Sequence, residues 1–170
     1  MHTIFESKRL LVRDRDGWEF VERSAAKEAV AVLAVTEDGR AILTEQFRKP
    51  VNKRVIDWPA GLVGDEGTND PAATAKKELE EETGYVCRAV EFLARGPSSP
   101  GITSEMVSLY RAIDVARQSE GGGVGGEDIT VHLVPLRELE SWLRKRESEG
   151  ILLDLKLWSG LYFLRTVAER

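Results

Sequence analysis

Residues Ala72–Cys87 read AATAKKELEEETGYVC, and this stretch carries the pattern that decides the fold. Glu78, Glu81 and Glu82 are spaced i, i+3 and i+4, which brings three carboxylates to one side of an α-helix. Like charges at this spacing repel each other by roughly 0.2–0.5 kcal/mol per pair, so a cation between them is the simplest reason to gather them. Oxygen ligands favour a hard divalent ion, Mg²⁺ or Mn²⁺. The stretch therefore predicts a metal-binding helix suited to phosphate chemistry.

The helix that carries these carboxylates has sequence signals at both ends. Asp70-Pro71 is typical of an N-cap followed by a proline in the first turn, and Gly84 is typical of the residue just past the last turn. Because the two signals enclose the carboxylates, we predict a helix at about 71–83.

Strands are predicted before and after this helix, from short apolar runs separated by turn residues. Asp-Gly pairs at 16–17 and 38–39 indicate two hairpins. The C-terminal third is predicted to be helical, with a final helix that Asp154 caps and that runs to about Ala168. The predicted strands lie at about 10–14, 18–22, 29–36, 41–47, 85–95, 105–114 and 129–134.

The composition bounds the class of protein. A chain of 170 residues predicts one α+β domain, residues 1–170, with a mixed sheet and few helices. The net charge of -5 argues against a nucleic-acid partner, and no apolar run approaches the ~20 residues that span a bilayer. One cysteine and two histidines offer neither an internal disulfide nor a zinc cluster. The N-terminus lacks a signal-peptide pattern, so a cytoplasmic location is predicted.

The segment KELEEETGY, residues 77–85, preceded by Pro59-Ala60-Gly61, resembles the signature of the Nudix hydrolase family. That signature is G-x5-E-x7-R-E-U-x-E-E-x-G-U, where U is a bulky apolar residue. A bare E-x-x-E-E would be a weak signal, but the Pro-Ala-Gly segment upstream and the glycine downstream make the match specific. The residues that fall into place are Glu78, Leu79, Glu81, Glu82, Gly84 and Tyr85.

Two features depart from the signature. Lys77 stands where the family has arginine, and it keeps the charge without the planar fork that can hold two carboxylates. The stretch from Gly61 to Lys77 is also two residues longer than the signature. Asn69 consequently falls at the position of the first glutamate of the signature, and Glu66 lies nearer the other end of the loop.

Three further segments resemble ADP-ribose and nucleoside-diphosphate-sugar hydrolases, which include GDP-mannose-type pyrophosphatases. They are the loop PSSPGITSE at 97–105, the strand end EQFR at 45–48 and the glycine-rich loop at 120–128. The resemblance implies a Nudix fold, in which a mixed β-sheet is sandwiched between α-helices. It also implies an N-terminal hairpin arm, residues 1–25, that takes part in a homodimer.

The spacing and the resemblance together predict a role for each candidate residue. Glu78 and Glu82, supported by Glu81, are the predicted metal ligands, and the resemblance adds the backbone carbonyl of Ala60. It also implies that the general base lies in the glycine-rich loop, as Glu127 or alternatively Glu120. The glycine content of this loop suits a lid that closes after the substrate binds. The predicted substrate contacts are Arg48 to a phosphate, Glu105 to the second ribose or sugar, and Trp18 or Phe20 to the nucleobase.

The function that follows is Mg²⁺-dependent hydrolysis, with Mn²⁺ as the other suitable ion, of a nucleoside diphosphate sugar. The leading substrates are ADP-ribose and GDP-mannose, cleaved to a nucleoside monophosphate and a sugar phosphate. Two alternatives stay open at this stage. One is a house-cleaning hydrolase of nucleoside triphosphates or dinucleoside polyphosphates, and the other is a Nudix-like module that binds nucleotides without cutting them.

Overall fold

The computed structural model describes residues 1–26, 28–64, 69–123 and 126–168. The Glu66 position and Val124–Gly125 of the glycine-rich loop lie outside these ranges. In chain order the elements are β1 (His2–Glu6), β2 (Leu10–Arg15), β3 (Trp18–Arg23), β4 (Glu28–Val35), β5 (Arg40–Arg48), a short 3₁₀ helix (Lys49–Val51), β6 (Lys53–Asp57), β7 (Ala60–Val63), α1 (Pro71–Thr83), β8 (Tyr85–Pro97), β9 (Met106–Arg117), β10 (Ile129–Pro135), a second 3₁₀ helix (Leu136–Glu138), α2 (Leu139–Ser148), β11 (Leu152–Leu153) and α3 (Lys156–Ala168).

Helix α1 has the bounds that its end signals predict. The side chain of Asp70 accepts a hydrogen bond from the backbone N–H of Ala72, and Pro71 occupies the first turn. At the other end Gly84 adopts a left-handed conformation, with φ of 75°, and its N–H donates to the carbonyl of Glu80. The carboxylate helix is therefore capped at both ends by its own sequence.

The main sheet is mixed, as predicted. Its strands run in the order β11-β6-β5-β4-β9-β8, with β10 paired to β5 and β7 paired to β4. Strands β4 and β9 are parallel, as are β6 and β11, whereas the other pairs are antiparallel. This arrangement confirms the predicted α+β class with few helices.

Strand β4 is buried on both faces, and its side chains pack alternately into two hydrophobic cores. Val30 and Val32 pack with Ala75 and Leu79 of α1 on one face of the sheet. Leu33, on the opposite face, packs in a second core with residues of α2 and α3. The helices therefore cover both faces, which is the predicted sandwich, and α1 is anchored against the strands beside it.

The N-terminal residues form a sheet of their own. Strands β2 and β3 meet at Asp16-Gly17, where both residues have positive φ, as the predicted tight hairpin requires. Strand β1, which the sequence patterns did not predict, adds to β2. The sheet docks onto the loop at 97–105, because Val21 donates to the carbonyl of Ile102 and Ser104 donates to that of Val21.

Other differences lie in short elements. No strand was predicted at Pro59-Ala60-Gly61, but Ala60 begins β7, which pairs with β4. Strands β6 and β11 were also not predicted. In the described part of the chain, no helix is long and apolar enough to cross a membrane.

Candidate functional site

The candidate metal face forms where α1 meets the start of β7. The backbone N–H of Ala60 donates to Oε2 of Glu82 at 3.0 Å. The side chain of Glu78 lies against Gly61 so closely that a Cβ added there would be 2.0 Å from its carboxyl carbon. A side chain at position 61 would therefore displace the Glu78 carboxyl, so the Pro-Ala-Gly segment and the glutamates of α1 form one structural unit.

The carboxyl group of Glu82 is buried, with 6% of the residue exposed. Burial, together with the smaller effects of the Glu78 and Glu127 charges, raises the pKa of Glu82 to about 8, although the Ala60 N–H and Arg48 act in the opposite direction. A carboxylate held in this way carries an electrostatic cost that a bound cation would remove. Because their charges act on the pKa of Glu82, the side chains of Glu78, Glu127 and Arg48 lie near its carboxyl group.

Glu81 has a cationic partner on its own helix, α1. The Nζ of Lys77, one turn earlier, lies 2.8 Å from Oε2 of Glu81. Among the residues that the structure describes, no three carboxylate, imidazole or thiolate side chains converge as a ready-made metal cluster. The groups that do lie together are Glu78, Glu82 and the Ala60 backbone. Two carboxylates and a carbonyl suit Mg²⁺, which binds through few protein ligands and keeps several waters.

The glycine-rich loop is docked on the C-terminal end of α1. The N–H groups of Gly122 and Gly123 donate to the carbonyls of Glu82 and Glu81, at 2.8 and 3.0 Å. Gly121 has φ of 70°, and a Cβ there would lie 2.2 Å from the Thr83 backbone. These glycines therefore satisfy helix carbonyls that would otherwise lack partners. The predicted lid is held at this end, and its centre lies outside the described residues.

The two candidates for the general base are placed differently. A Cβ on Gly123 would lie 2.7 Å from Oε2 of Glu127, so the docked loop brings Glu127 beside the end of α1, and its charge acts on Glu82. The side chain of Glu120 is 99% exposed and lies 3.8 Å from Arg117. The geometry thus favours Glu127 over Glu120.

The predicted nucleobase and sugar contacts form a separate group around the loop at 97–105. A cleft of about 260 Å³ is lined on one side by Arg15, Trp18 and Phe20 and on the other by this loop. Trp18 is 64% exposed, and its Nε1 donates to the carbonyl of Gly101 at 3.4 Å. Glu105 is held by Arg23 at 2.6 Å. Arg48, at the end of β5, belongs with the metal face instead.

A cluster around Glu45 was not predicted from sequence. This carboxylate is as buried as that of Glu82 but lies 2.6 Å from Arg54 and 2.9 Å from both His132 and Arg146. Burial alone would raise the pKa of Glu45, but hydrogen bonds from the three basic residues outweigh it and hold the pKa below its ordinary value. The partners come from β6, β10 and α2, so only the packing of these elements in three dimensions reveals them.

Comparisons with known proteins bear on the family and the fold. Residues 26–154 match the family model described as NUDIX domain. An ADP-ribose pyrophosphatase of Bacillus subtilis is 41% identical over 137 residues, covering 81% of this chain and 71% of its own. A methanol dehydrogenase activator of Bacillus methanolicus is 41% identical over 108 residues, covering 64% of this chain but only 57% of its own.

Two further matches complete the comparison. A GDP-mannose pyrophosphatase of Cronobacter sakazakii is 32% identical over 136 residues, covering 75% of this chain and 68% of its own. A crystal structure titled as an ADP compounds hydrolase superposes with a TM-score of 0.74 at 20% identity, covering 99% of this chain and 91% of the other. The latter match bears on the fold alone.

Proposed function

The chain belongs to the Nudix hydrolase family, and from that premise we propose that it hydrolyses the pyrophosphate bond of a nucleoside diphosphate sugar. ADP-ribose is the first candidate substrate and GDP-mannose the second, following the order of identity to relatives that carry those names. The products are a nucleoside monophosphate and a sugar phosphate. The observation that carries the proposal is that buried Glu82 accepts a hydrogen bond from Ala60 while the carboxyl of Glu78 lies against Gly61.

A divalent cation, Mg²⁺ or Mn²⁺, fits this face, held by Glu78, Glu82 and the Ala60 carbonyl with Glu81 at its edge. It would neutralise the phosphate oxygens and acidify the attacking water. Glu127 accepts the proton from that water, since it lies next to Glu82 and is not itself one of the ligands. Arg48 pairs with a phosphate, because its charge already acts at the same place.

The cleft beside the N-terminal sheet is the proposed nucleobase site. Trp18 offers a largely exposed indole face, and Phe20 lies beside it with the Arg15 guanidinium 5.4 Å from its ring centre. Glu105 is fixed by Arg23 near the loop that forms the other wall, where it accepts hydrogen bonds from ribose or sugar hydroxyls. Substrate would thus extend from this cleft towards the metal face.

The N-terminal sheet is also the proposed homodimer contact. Large apolar side chains are exposed on β1 and at the start of β2, namely Ile4, Phe5 and Leu10. Exposed apolar patches of this kind mark contact surfaces. Light scattering coupled to gel filtration tests the idea, with a dimer expected for the intact chain and a monomer for Phe5→Glu. A monomeric intact chain would overturn it.

A substrate panel tests the proposed activity. Purified chain is incubated with Mg²⁺, or with a chelator, and ADP-ribose, GDP-mannose, a nucleoside triphosphate or a dinucleoside polyphosphate, and products are separated by chromatography. We expect Mg²⁺-dependent release of nucleoside monophosphate, fastest from ADP-ribose. Preference for the last two substrates would favour a house-cleaning role, and binding without turnover of any of the four would favour a nucleotide-binding module.

The same panel separates the two base candidates. Glu127→Gln should lower turnover of the best substrate by at least about a hundredfold, as expected for loss of general base catalysis. Glu120→Gln removes the same charge from the same loop and should have a much smaller effect. The opposite ranking would move the base to Glu120.

The similarity to the methanol dehydrogenase activator favours a second candidate function, stimulation of a dehydrogenase. The assay adds the chain to purified Bacillus methanolicus methanol dehydrogenase and follows alcohol oxidation. Stimulation by the intact chain but not by Glu82→Gln would tie the effect to hydrolysis. No stimulation would remove this candidate and leave the hydrolase proposal untouched.

A further inference from the structure

We propose that Arg54 is a positioning residue that holds the start of β10, and through it Glu127, in place for proton transfer. The proposal rests on the proposed function, because it takes Glu127 as the general base. Arg54 lies on β6, far in sequence from the glycine-rich loop. Its guanidinium nonetheless contacts Asp128, the residue that directly follows Glu127.

Arg54 spans strands β6, β5 and β10 with a single side chain. Its Nε donates to Oε1 of Glu45 at 2.6 Å, and Nη2 donates to the Glu45 carbonyl and to Oγ1 of Thr130, both at 3.2 Å. Its Nη1 donates to Oδ2 of Asp128 at 2.9 Å. Since β5 pairs with β6 on one side and with β10 on the other, this side chain crosses the middle strand.

The contact to Asp128 lies where backbone pairing has ended. In the described residues the ladder between β10 and β5 begins at Ile129, opposite Gln46. Glu127 and Asp128 precede it, so the sheet does not fix them through main-chain hydrogen bonds of that ladder. Two contacts hold the ends of this segment, namely the docked glycines at the end of α1 and Arg54 at the start of β10.

The contact of Arg54 with buried Glu45 fixes the guanidinium that binds Asp128. Arg54 is tied to Glu45, which is 5% exposed and is also bound by His132 and Arg146. The guanidinium is therefore fixed before it meets Asp128, and little further side-chain entropy is lost in that contact. Asp128 itself is exposed, so the ion pair adds little to global stability. We therefore expect loss of the Asp128 contact to affect catalysis more than folding, whereas the contacts of Arg54 with Glu45 also contribute to stability.

The kinetic test removes Arg54 in two backgrounds. Arg54→Ala should lower kcat for ADP-ribose by about tenfold with KM changed by less than about threefold, because misplacement of a catalytic group by a fraction of an ångström costs that much. Arg54→Lys should have a kcat between those of Arg54→Ala and the unaltered chain, since lysine keeps the charge but not the planar fork of the guanidinium. In a Glu127→Gln background, Arg54→Ala should cause no further loss, because the residue that it positions is already disabled.

A second measurement does not depend on activity. Hydrogen exchange of the amides at 127–130 should be faster in Arg54→Ala than in the unaltered chain. Arg111→Ala is the matched control, because the two arginine side chains are 26% and 30% exposed and each pairs with a glutamate on a neighbouring strand. That variant should leave both kcat and exchange at 127–130 unchanged.

The outcomes separate this inference from the proposed function. A further fall in kcat when Arg54→Ala is added to Glu127→Gln would show a general structural effect and overturn the inference, as would unchanged exchange at 127–130. Failure of the unaltered chain to hydrolyse any substrate would instead overturn the proposed function, and with it the assignment of Glu127 that the inference requires.

Discussion

Glu82 and Glu45 are two glutamates of nearly equal burial, 6% and 5% exposed, with opposite electrostatics. Glu82 accepts one backbone hydrogen bond and lies near two other carboxylates, and its pKa is raised to about 8. Glu45 is surrounded by Arg54, His132 and Arg146, and its pKa is lowered. Solvent exposure alone therefore does not separate the proposed metal ligand from a structural anchor, and the charge of the neighbouring groups must also be considered.

The difference has a physical meaning for function. A buried carboxylate surrounded by bases is already compensated, so it holds elements together. A buried carboxylate that lies near other carboxylates is stabilised further when a cation is added, as we propose for Glu82. In this chain Glu45 is of the first kind and joins β5, β6, β10 and α2. Glu82 is of the second kind and lies where α1 meets β7.

The largest effect is expected at Glu82. Glu82→Gln keeps the shape of the side chain and the hydrogen bond from Ala60 but removes the charge that attracts the cation. Turnover of ADP-ribose should fall by about a thousandfold or more, in line with loss of a metal ligand. The rise in Tm on adding Mg²⁺ should also disappear, because binding no longer favours the folded state. Full activity with an unchanged Mg²⁺ response would contradict the assignment.

The next effect is expected at Gly61. An added methyl would lie 2.0 Å from the carboxyl of Glu78, and since this is the end of a flexible side chain, the carboxyl can move away without disturbing the backbone. Gly61→Ala should therefore lower turnover about a hundredfold while Tm changes little, since displaced catalytic geometry is costly. Gly96→Ala is the matched control, because a methyl there meets no atom within 4 Å. Equal effects of both substitutions would show that position 61 has no special relation to Glu78.

Glu45 should reveal the opposite behaviour, a loss of stability. Glu45→Gln leaves three basic side chains around a neutral amide, which should lower the free energy of unfolding by about 2 kcal/mol, since these partners are partly exposed. Chemical denaturation at pH 7 measures it. Glu91→Gln, which also removes the glutamate partner of an arginine, should cost far less because that pair is more exposed.

The pH dependence of that loss follows from the lowered pKa of Glu45. Its stabilising contribution is fully present above the ordinary value of 4.5 and is lost as the pH falls through the lower pKa of the folded state. The difference in unfolding free energy between the unaltered chain and Glu45→Gln should therefore shrink as the pH falls below 4.5. A difference that grows on acidification would mean that the carboxylate is not held in its charged form.

These residues also show what the sequence could predict. Helix α1 has its predicted bounds because Asp70 and Gly84 act locally as caps, and the carboxylate face follows from helical spacing alone. Strand β1 was missed because all of its residues are exposed, so no apolar alternation marks it. The role of Arg54 depends on its contacts with Asp128 and Thr130, which lie 74 and 76 positions later in the sequence. These contacts exist only once β5 pairs with β6 and β10.

The smallest effect is expected at Lys77, which pairs with one of the three carboxylates of α1. Glu81 belongs to the carboxylate face of α1 but, like Glu45, has a basic partner, in this case one turn away at 2.8 Å. Because the pair is half-exposed, Lys77→Ala should lower the free energy of unfolding by about 0.3–0.5 kcal/mol. Turnover should change by less than about threefold, since Glu78 and Glu82 hold the cation without Glu81.

Lys76→Ala provides the control for that substitution, because it removes a lysine from the same helix that bonds the carbonyl of Arg88 instead of a glutamate. Lys77→Arg should restore the stability lost in Lys77→Ala, since arginine also pairs with Glu81. A large loss of turnover in Lys77→Ala, absent in Lys76→Ala, would show that Glu81 must be held for catalysis. Glu81 would then act with Glu82 as a full metal ligand, although it has a basic partner as Glu45 does.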